Sequence, residues 1–561
     1  MIDFNRKDCT PEETIYKITS ILKKMNIELE LVSEHNVADE WFSVNIGIKG
    51  IPALFTNGKG ISPNYAMASA LGEMMERIQT GILLDNNYIF KIEKKINSYN
   101  DVVKIYKTFF SEYFKSISME QITQFLMCNS RYGILEKYIE CKSKKEVLLP
   151  EYFLIDVCGS NGCCAGNTED EALTQGLGEV YERWVKKIIF FNEDYNEYSD
   201  IPITWIENLE SYKMLKVLSN EGFSFQVKDL TLDGKFPVLG LIVYNQSRTK
   251  YRFSMASDIN LDICLQRCIT EMFQGLNLDV NFRMSMEKIL DENTLDKRKW
   301  DSISKNEYVK HVMYGVGKIP VSLLFSKKSK NYELKPFKND VIDNKLSKKY
   351  LMEIADKMGW KVYVRNCNYL GFPSYRIYIP KVTDIYTLDY EEGVQNIIDV
   401  NGLKNEIVDK KIDYDKILEL IYKVLKLPKY QEDLTDIYSF MGIIVTEKAT
   451  KTINDLKNES LFFQKRYQDI IDSMPEIVGT GNNNDLKKVY LYYKNNDITS
   501  NVYKRIMNNV NAKEENLFNK LELPVCPNCS ECLLKNNCKY EEWLRLKKKV
   551  SAHTQLARER K

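Results

Sequence analysis

The chain has 561 residues, of which 44% are hydrophobic and 28% charged, with a formal net charge of +1. This is the composition of a globular protein of roughly two to four domains, and the near-zero charge excludes the global basic field that non-specific nucleic-acid binding needs. No stretch approaches the roughly 18–20 apolar residues of a membrane span, and the opening MIDFNRKDCTPEET has no apolar signal region, so no membrane partner is expected and the cytoplasm is the expected location.

Residues 11–25, PEETIYKITSILKKM, read as an amphipathic helix with an acidic first turn. A strand-rich segment follows, in which WFSVNIGI alternates and IPALFTNGKG ends in a Gly-rich turn. A helix is expected from about Asn64 to Ile78. Residues 95–150 mix aromatic-rich helical pieces with a strand at VLLP, and EYFLIDVCGSNGCCAGN leads into a second helix. NLESYKMLKVLSNEG then reads as helical, FSFQVKDLT and FPVLGLIVYN as strands, and YRFSMASDINLDICLQRCITEMFQG as strand, turn and third helix. Residues 290–340 read as a looped, charged insertion, and residues 351–386 as helix–strand–strand. From about Gly393 to Lys561 the pattern is almost wholly helical, with RLKKKVSAHTQLARERK a solvated or fraying terminal helix. The fold class is α+β: a mixed αβ domain over residues 1–392, then an all-helical domain over 393–561.

One stretch occurs twice. TNGKGISPNYAMASALGEMMERI and SNGCCAGNTEDEALTQGLGEVYERW each start with an Asn-Gly pair, read as a turn, and enter a helix ending in L-G-E-x-x-E-R. A partial third echo is RCITEMFQG, with Arg267, Glu271 and Gln274. In the second copy Glu171, Gln175, Glu179, Glu182 and Arg183 share about one third of the helix circumference, and the third helix carries its polar residues on one stripe. Faces this rich in carboxylate suit a hard cation such as Mg²⁺, which takes oxygen ligands and commonly bridges substrate phosphates. The alternative is a solvated face of i,i+4 ion pairs. Three related helices favour the walls of one site.

The histidines His35, His311 and His553 all lie outside these motifs, which leaves Ser-His or Cys-His catalysis poorly supported. The chain holds 13 cysteines, expected to be reduced. Cys526, Cys529, Cys532 and Cys538 have spacing suited to Zn²⁺ or an iron–sulfur cluster, left open between the two. Cys163 and Cys164 read as small residues packed in a tight turn, with a reactive thiol at a helix start as the alternative.

TNGKG with SALGEMMER, SNGCCAGNTEDEA with GLGEVYERW, DLTLDGKFPVLG and RCITEMFQG together resemble the YcaO family, over about 390 residues. The resemblance implies a YcaO-type αβ domain with an internal duplication. It also implies an ATP- and Mg²⁺-dependent enzyme that phosphorylates a peptide backbone amide, using a nucleotide site without a P-loop. Residue by residue, it places Glu73, Glu76, Glu179, Glu182 and Glu271 around Mg²⁺ or the phosphates. Ser69, Asn167, Glu171 and Gln175 would hold the nucleotide, with Lys7 and Thr14 contributed by the N-terminal helix and Gln274 by the third motif helix. Arg183 and Arg267, and with them Arg77, would meet phosphate charge. The catalytic set is thus Glu73, Glu179, Glu182, Arg183, Arg267 and Glu271. Implied partners are a peptide or protein substrate and a modifying enzyme, in a homodimer. Stand-alone bacterial members are linked to methylthiolation of a small-subunit ribosomal protein, which makes that pathway, or thioamide formation, the expected context. Azoline-forming members end in a Pro-rich tail, whereas ARERK ends this chain. A non-catalytic, ATP-binding accessory protein of a modifying enzyme is the other reading.

Overall fold

The computed structural model describes residues 7–37, 41–85, 98–111, 118–191, 198–274, 280–289, 297–325, 337–338, 343–385, 390–408, 413–427, 437–441, 452–464, 466, 468–470 and 538–559. Helix α1 (Pro11–Lys24) precedes an antiparallel sheet of β1 (Leu29–Asn36), β2 (Phe42–Ile48) and β3 (Ile51–Gly60), and α2 (Pro63–Gln79) lies on β3. Helices α3 (Ile82–Asp85), α4 (Tyr99–Ser111) and α5 (Met119–Cys128) lead to β4 (Leu135–Glu140) and β5 (Glu146–Pro150). Next come α6 (Glu151–Cys158), β6 (Cys163–Ala165), the long α7 (Glu169–Phe191) and α8 (Tyr212–Asn220). Strands β7 (Ser224–Asp229), β8 (Val238–Tyr244) and β9 (Lys250–Ser257) form a meander that ends in α9 (Leu261–Met272). After α10 (Val280–Met284), β10 (Glu287–Lys288) closes that sheet on β9. Then α11 (Lys297–Tyr314), α12 (Val321–Phe325) and α13 (Asn344–Lys357) lead to β11 (Tyr363–Asn366) and β12 (Ser374–Tyr378). These two strands complete a five-stranded sheet ordered β5-β4-β11-β12-β6. The rest is helical where described: α14 (Tyr390–Val408), α15 (Tyr414–Val424), α16 (Ile437–Met441), α17 (Ile453–Phe463) and α18 (Tyr540–Glu559).

The apolar run VLGLIVY explains the central layer. Every residue of β8 is buried, and its alternation feeds two cores. Val238, Ile242 and Tyr244 pack with α7, whereas Leu239, Leu241 and Val243 pack with α8 and α9. So α7 and α9 cover opposite faces of one sheet. A third core joins β2 and α2 through Val44, Ile46, Ala66, Ala70 and Met74.

The two motif helices are true structural repeats, but their Asn-Gly pairs are not. Aligned on L-G-E-x-x-E-R, Gly60 falls on Gly166 and Ser62 on Thr168, and both hydroxyls accept a helix N-terminal amide: Tyr65 N to Ser62 Oγ at 3.3 Å and Glu171 N to Thr168 Oγ1 at 3.1 Å. In that alignment the Asn-Gly pairs are two residues out of step. The expected turn at TNGKG is instead the end of β3, paired with β2 through Gly60 opposite Phe42. It is extended because Gly58 and Gly60 let α2 lie directly on it; an added Cβ would stand 2.0 Å from Ala66 O at Gly58 and 2.5 Å from Tyr65 Cβ at Gly60. At the second pair the turn is real. Gly162 has φ of +82° and faces Ile377 O, and buried Asn161 donates to Thr383 O at 2.7 Å.

Other expectations change. Cys163 and Cys164 sit in strand β6, not in a turn or at a helix start, and both are buried; burial pushes the Cys163 thiol up to about 12 and Cys164 well above its ordinary value, so neither is a reactive thiolate. Within the stretch expected to be looped, α11 is a full helix. Its buried side carries polar groups with specific partners: Glu307 accepts from Lys318 N at 2.7 Å and the His311 ring meets Gly317 O at 2.9 Å. The terminal helix α18 is not fully solvated. Trp543, Leu546 and Val550 are buried against the core of α1, β2 and α2, and Lys549 donates to Asn26 O at 2.6 Å. Position 393 falls inside α14, which gives Val394 to the core of α4–α6 and Leu403 and Ile407 to the helical array.

Cys526, Cys529 and Cys532 lie outside the described residues; Cys538 is partly buried against the helical array. No described helix is long and apolar enough to cross a membrane.

Candidate active site

The polar stripes of α2, α7 and α9 meet around the end of β3. On α2, Arg77 holds two carboxylates, Glu73 at 3.1 Å and Glu76 at 3.5 Å. The equivalent turn of α7 pairs Arg183 with Glu179 at 3.0 Å, and Lys186 with Glu182 at 3.7 Å. From α9, Glu271 forms an ion pair with Lys59 of β3. Gln274 clamps the same strand, accepting from Lys59 Nζ at 3.3 Å and donating to Asn57 O at 3.4 Å.

These groups share one electrostatic field. Burial pushes the Lys59 ammonium down to about 8, and Arg267 adds to this, against the upward pull of Glu182, Glu73 and Glu179. Burial pushes Glu76 up to about 8; Arg77 opposes this, while Glu179 and Glu73 push further in the same direction. Lys186 is lowered chiefly by burial. The helices therefore bring Glu73, Glu76, Glu179, Glu182, Arg183, Arg267, Glu271 and Gln274 together.

A second cluster lies at the N-terminal end of α7. Glu171 is 4% exposed and receives Lys7 at 3.3 Å, the Asp8 backbone amide at 2.9 Å and Asn167 Nδ2 at 3.3 Å. Thr14 of α1 donates to Asn167 Oδ1 at 3.0 Å, and Lys7 donates to Gln175 Oε1 at 3.2 Å. So Lys7, Thr14, Asn167, Glu171 and Gln175 form one network. Ser69 stands apart from it, exposed on α2 at the position equivalent to Gln175.

Two contributors escaped the sequence reading. Lys59 lies in a stretch whose sequence reads as a turn, and its signal is a charged residue between two glycines in only one of the two copies. Asp8 binds both Thr168 Oγ1 and Asn344 Nδ2, the latter at 2.9 Å, and so ties the N-terminus to α7 and α13. Nothing in its local sequence marks it.

The donor set is one of hard carboxylate oxygens, which fits a hard divalent cation. A Cβ added at Gly72, next to Glu73, meets nothing within 4 Å, in contrast to the filled surroundings of Gly58 and Gly60. Among the described residues, however, no three His, Cys, Asp or Glu side chains already stand together as a metal-binding group. The carboxylates are drawn instead to Arg77, Arg183, Lys186 and Lys59.

The YcaO family profile, described as YcaO cyclodehydratase, ATP- and Mg²⁺-binding, matches residues 57–383. The chain belongs to the YcaO family. The match spans β3 to the segment after β12 and so contains all three motif helices, while α1 with Thr14 lies before it. An uncharacterized protein of Haemophilus influenzae is 27% identical over 479 residues, covering 81% of this chain and 78% of its own length. The ribosomal protein S12 methylthiotransferase accessory factor YcaO of Escherichia coli is 25% identical over 405 residues, covering 68% of this chain and 66% of its own. Among solved structures, YcaO from Methanopyrus kandleri bound with AMPPCP and Mg²⁺ aligns with a TM-score of 0.42 at 14% identity, over 66% of this chain and 91% of that one. A heterocyclase in complex with substrate and cofactor aligns with a TM-score of 0.44 at 16% identity, over 68% of this chain. The chain spans about half of that heterocyclase, 53% of its length.

Proposed function

We propose that this YcaO chain binds Mg-ATP between α2, α7 and α9 and activates a backbone amide of a peptide or protein by phosphorylating its oxygen. The observation that carries this reading is the convergence of Glu73, Glu179, Glu182 and Glu271, from three helices, with Arg77, Arg183, Arg267 and Lys59 around one strand end. Such a site suits phosphoryl transfer, which needs positioned charge more than covalent chemistry. Bound Mg-ATP would supply the phosphoryl group that turns a poor leaving group, the amide oxygen, into a good one.

Glu73, Glu179, Glu182 and Glu271 would hold the metal, Glu76 beside them would face the nucleotide, and Arg183 and Arg267 would meet the phosphate charge. Lys7, Thr14, Asn167, Glu171 and Gln175, with Ser69 across the gap, would hold the rest of the nucleotide. A nucleophile adds to the amide carbonyl, the carbonyl oxygen takes the phosphoryl group, and phosphate then leaves with that oxygen. The product is an azoline, a thioamide or an amidine, according to the nucleophile. The E. coli relative's name supports a ribosomal-protein methylthiolation context. Cytoplasmic location, a homodimer, a partner modifying enzyme and a metal at Cys526–Cys538 belong to the same proposal.

The word accessory in that name also favours a second reading, a nucleotide-dependent partner of a modifying enzyme with no amide chemistry of its own. The two separate on whether phosphate release requires peptide. The site itself is tested by calorimetric titration with AMPPCP and Mg²⁺. Glu179→Ala is expected to lose more than about 100-fold in affinity, since even groups standing behind a metal ligand are worth about 10–100-fold. Circular dichroism should be unchanged. Wild-type affinity in the variant would refute the assignment.

A further inference from the structure

We infer that Lys59 is a built-in counter-cation that holds Glu271 until nucleotide arrives, so that Mg²⁺ enters this site with ATP rather than alone. The inference rests on the nucleotide-site reading above and goes beyond it to the order of binding.

The backbone leaves Lys59 one direction. Strand alternation sends residues 58 and 60 to one face of β3 and residue 59 to the other. The first face is closed, because α2 lies on both glycines with Ala66, Ala70 and Tyr65 where side chains would be. Lys59 therefore projects toward α9. There its ammonium meets Glu271 and Gln274 Oε1, the latter at 3.3 Å, while Gln274 Nε2 anchors to Asn57 O. The Lys59 side chain is 24% exposed and that of Glu271 48%, so water screens the pair mainly from the Glu271 side.

The other acidic groups of the site are paired within their own helices. Glu73 pairs with Arg77 and Glu179 with Arg183, each four residues on, and Glu182 with Lys186. Such neighbours lean aside without leaving the helix face. Glu271 is different, because its cation comes from another element. Any metal that Glu271 takes must share the carboxylate with Lys59 or displace it. An ammonium and a divalent ion on one carboxylate repel each other, so Lys59 lowers the affinity for Mg²⁺ alone. A nucleotide phosphate offers the ammonium a new partner and removes that competition. The result is positive coupling between nucleotide and metal, which is reciprocal by linkage.

The test titrates full-length wild type, Lys59→Met and Lys59→Arg with Mg²⁺ alone, then each with Mg²⁺ at saturating AMPPCP. Lys59→Met should bind Mg²⁺ alone at least about tenfold more tightly than wild type. Lys59→Arg, which keeps the charge, should stay near wild type. The ratio of Mg²⁺ affinities with and without AMPPCP should shrink in Lys59→Met. Equal or weaker binding of Mg²⁺ alone by Lys59→Met overturns the inference, whatever AMPPCP does. If wild type fails to bind AMPPCP while Lys59→Met still gains Mg²⁺ affinity, the nucleotide reading falls and the competition for Glu271 stands.

Discussion

The two strand–helix repeats, β3–α2 and β6–α7, solve one packing problem in opposite ways. In the first the strand gives up the side chain: Gly58 faces Ala70, and a Cβ on Gly58 would stand 2.8 Å from the Ala70 Cβ. In the second the helix gives it up: Cys164 occupies the strand position, and Gly176 replaces the alanine, with a Cβ there 2.7 Å from Cys164 Sγ. Volume is conserved across the contact while its ownership is exchanged. The difference extends to the chemistry. The first strand end presents Lys59 toward α9; the second presents Ala165, which is buried and inert. In turn the second helix carries Glu171 and Gln175, where the first has Tyr65 and Ser69. The duplicated scaffold thus differs in what each half adds: both supply L-G-E-x-x-E-R, one adds the strand cation Lys59 and the other the polar network around Glu171.

The packing half of this comparison is the easiest to break. Gly176→Ala should destabilise by about 1–3 kcal/mol through overpacking against Cys164. Adding Cys164→Gly should recover the part of that loss due to Cys164, leaving the contact with Ile377 Cδ1 at 2.8 Å. A double-mutant cycle in urea unfolding is expected to give a coupling of about 1–3 kcal/mol. Simple additivity would mean that the repeats do not share a contact.

A second effect in the first repeat depends on pH. The fold holds the Glu76 proton up to about 8, against 4.5 for the ordinary group. Between those values the folded chain binds more protons than the unfolded chain, so the Glu76 contribution is full at low pH and is lost as pH rises toward 8. Metal-free unfolding between about pH 5 and pH 8 should show this decline, and Glu76→Gln should flatten it. Lys59 acts only above that window, because its lowered value lies at about 8. An unchanged slope in Glu76→Gln would place the titration elsewhere.

The smallest expected effect belongs to the network at the start of α7. Thr14→Val removes the 3.0 Å bond to Asn167 and should weaken AMPPCP binding by roughly fivefold, the equivalent of about 1 kcal/mol, with little change in Tm. A loss as large as that of Glu179→Ala would move α1 from the periphery of the site to its centre.

The motif helices were legible because helical periodicity is local. Glu179, Glu182 and Arg183 declare a shared face within one turn, and the repeat of L-G-E-x-x-E-R doubles the signal. The shared Asn-Gly pairs mislead for the same reason: a local likeness is not an equivalent position, and only the contacts of Gly60 with Tyr65 and of Gly166 with Ala172 reveal the true register. Helix α11 escaped because its buried face is partly polar, and apolar periodicity cannot see a glutamate and a histidine held by Lys318 N and Gly317 O. The charged terminal helix misled because its few apolar residues, Trp543, Leu546 and Val550, matter only once α1 and the first sheet are there to receive them.

What the amino-acid sequence determined by itself was the set of chemical groups and the helix faces that carry them, since both depend on neighbours within a few residues. Tertiary structure alone decided which cation Glu271 meets. Glu73 and Glu179 keep partners from their own helices, but Glu271 takes Lys59 from a distant strand, because closing one face of β3 with α2 left that side chain only the other.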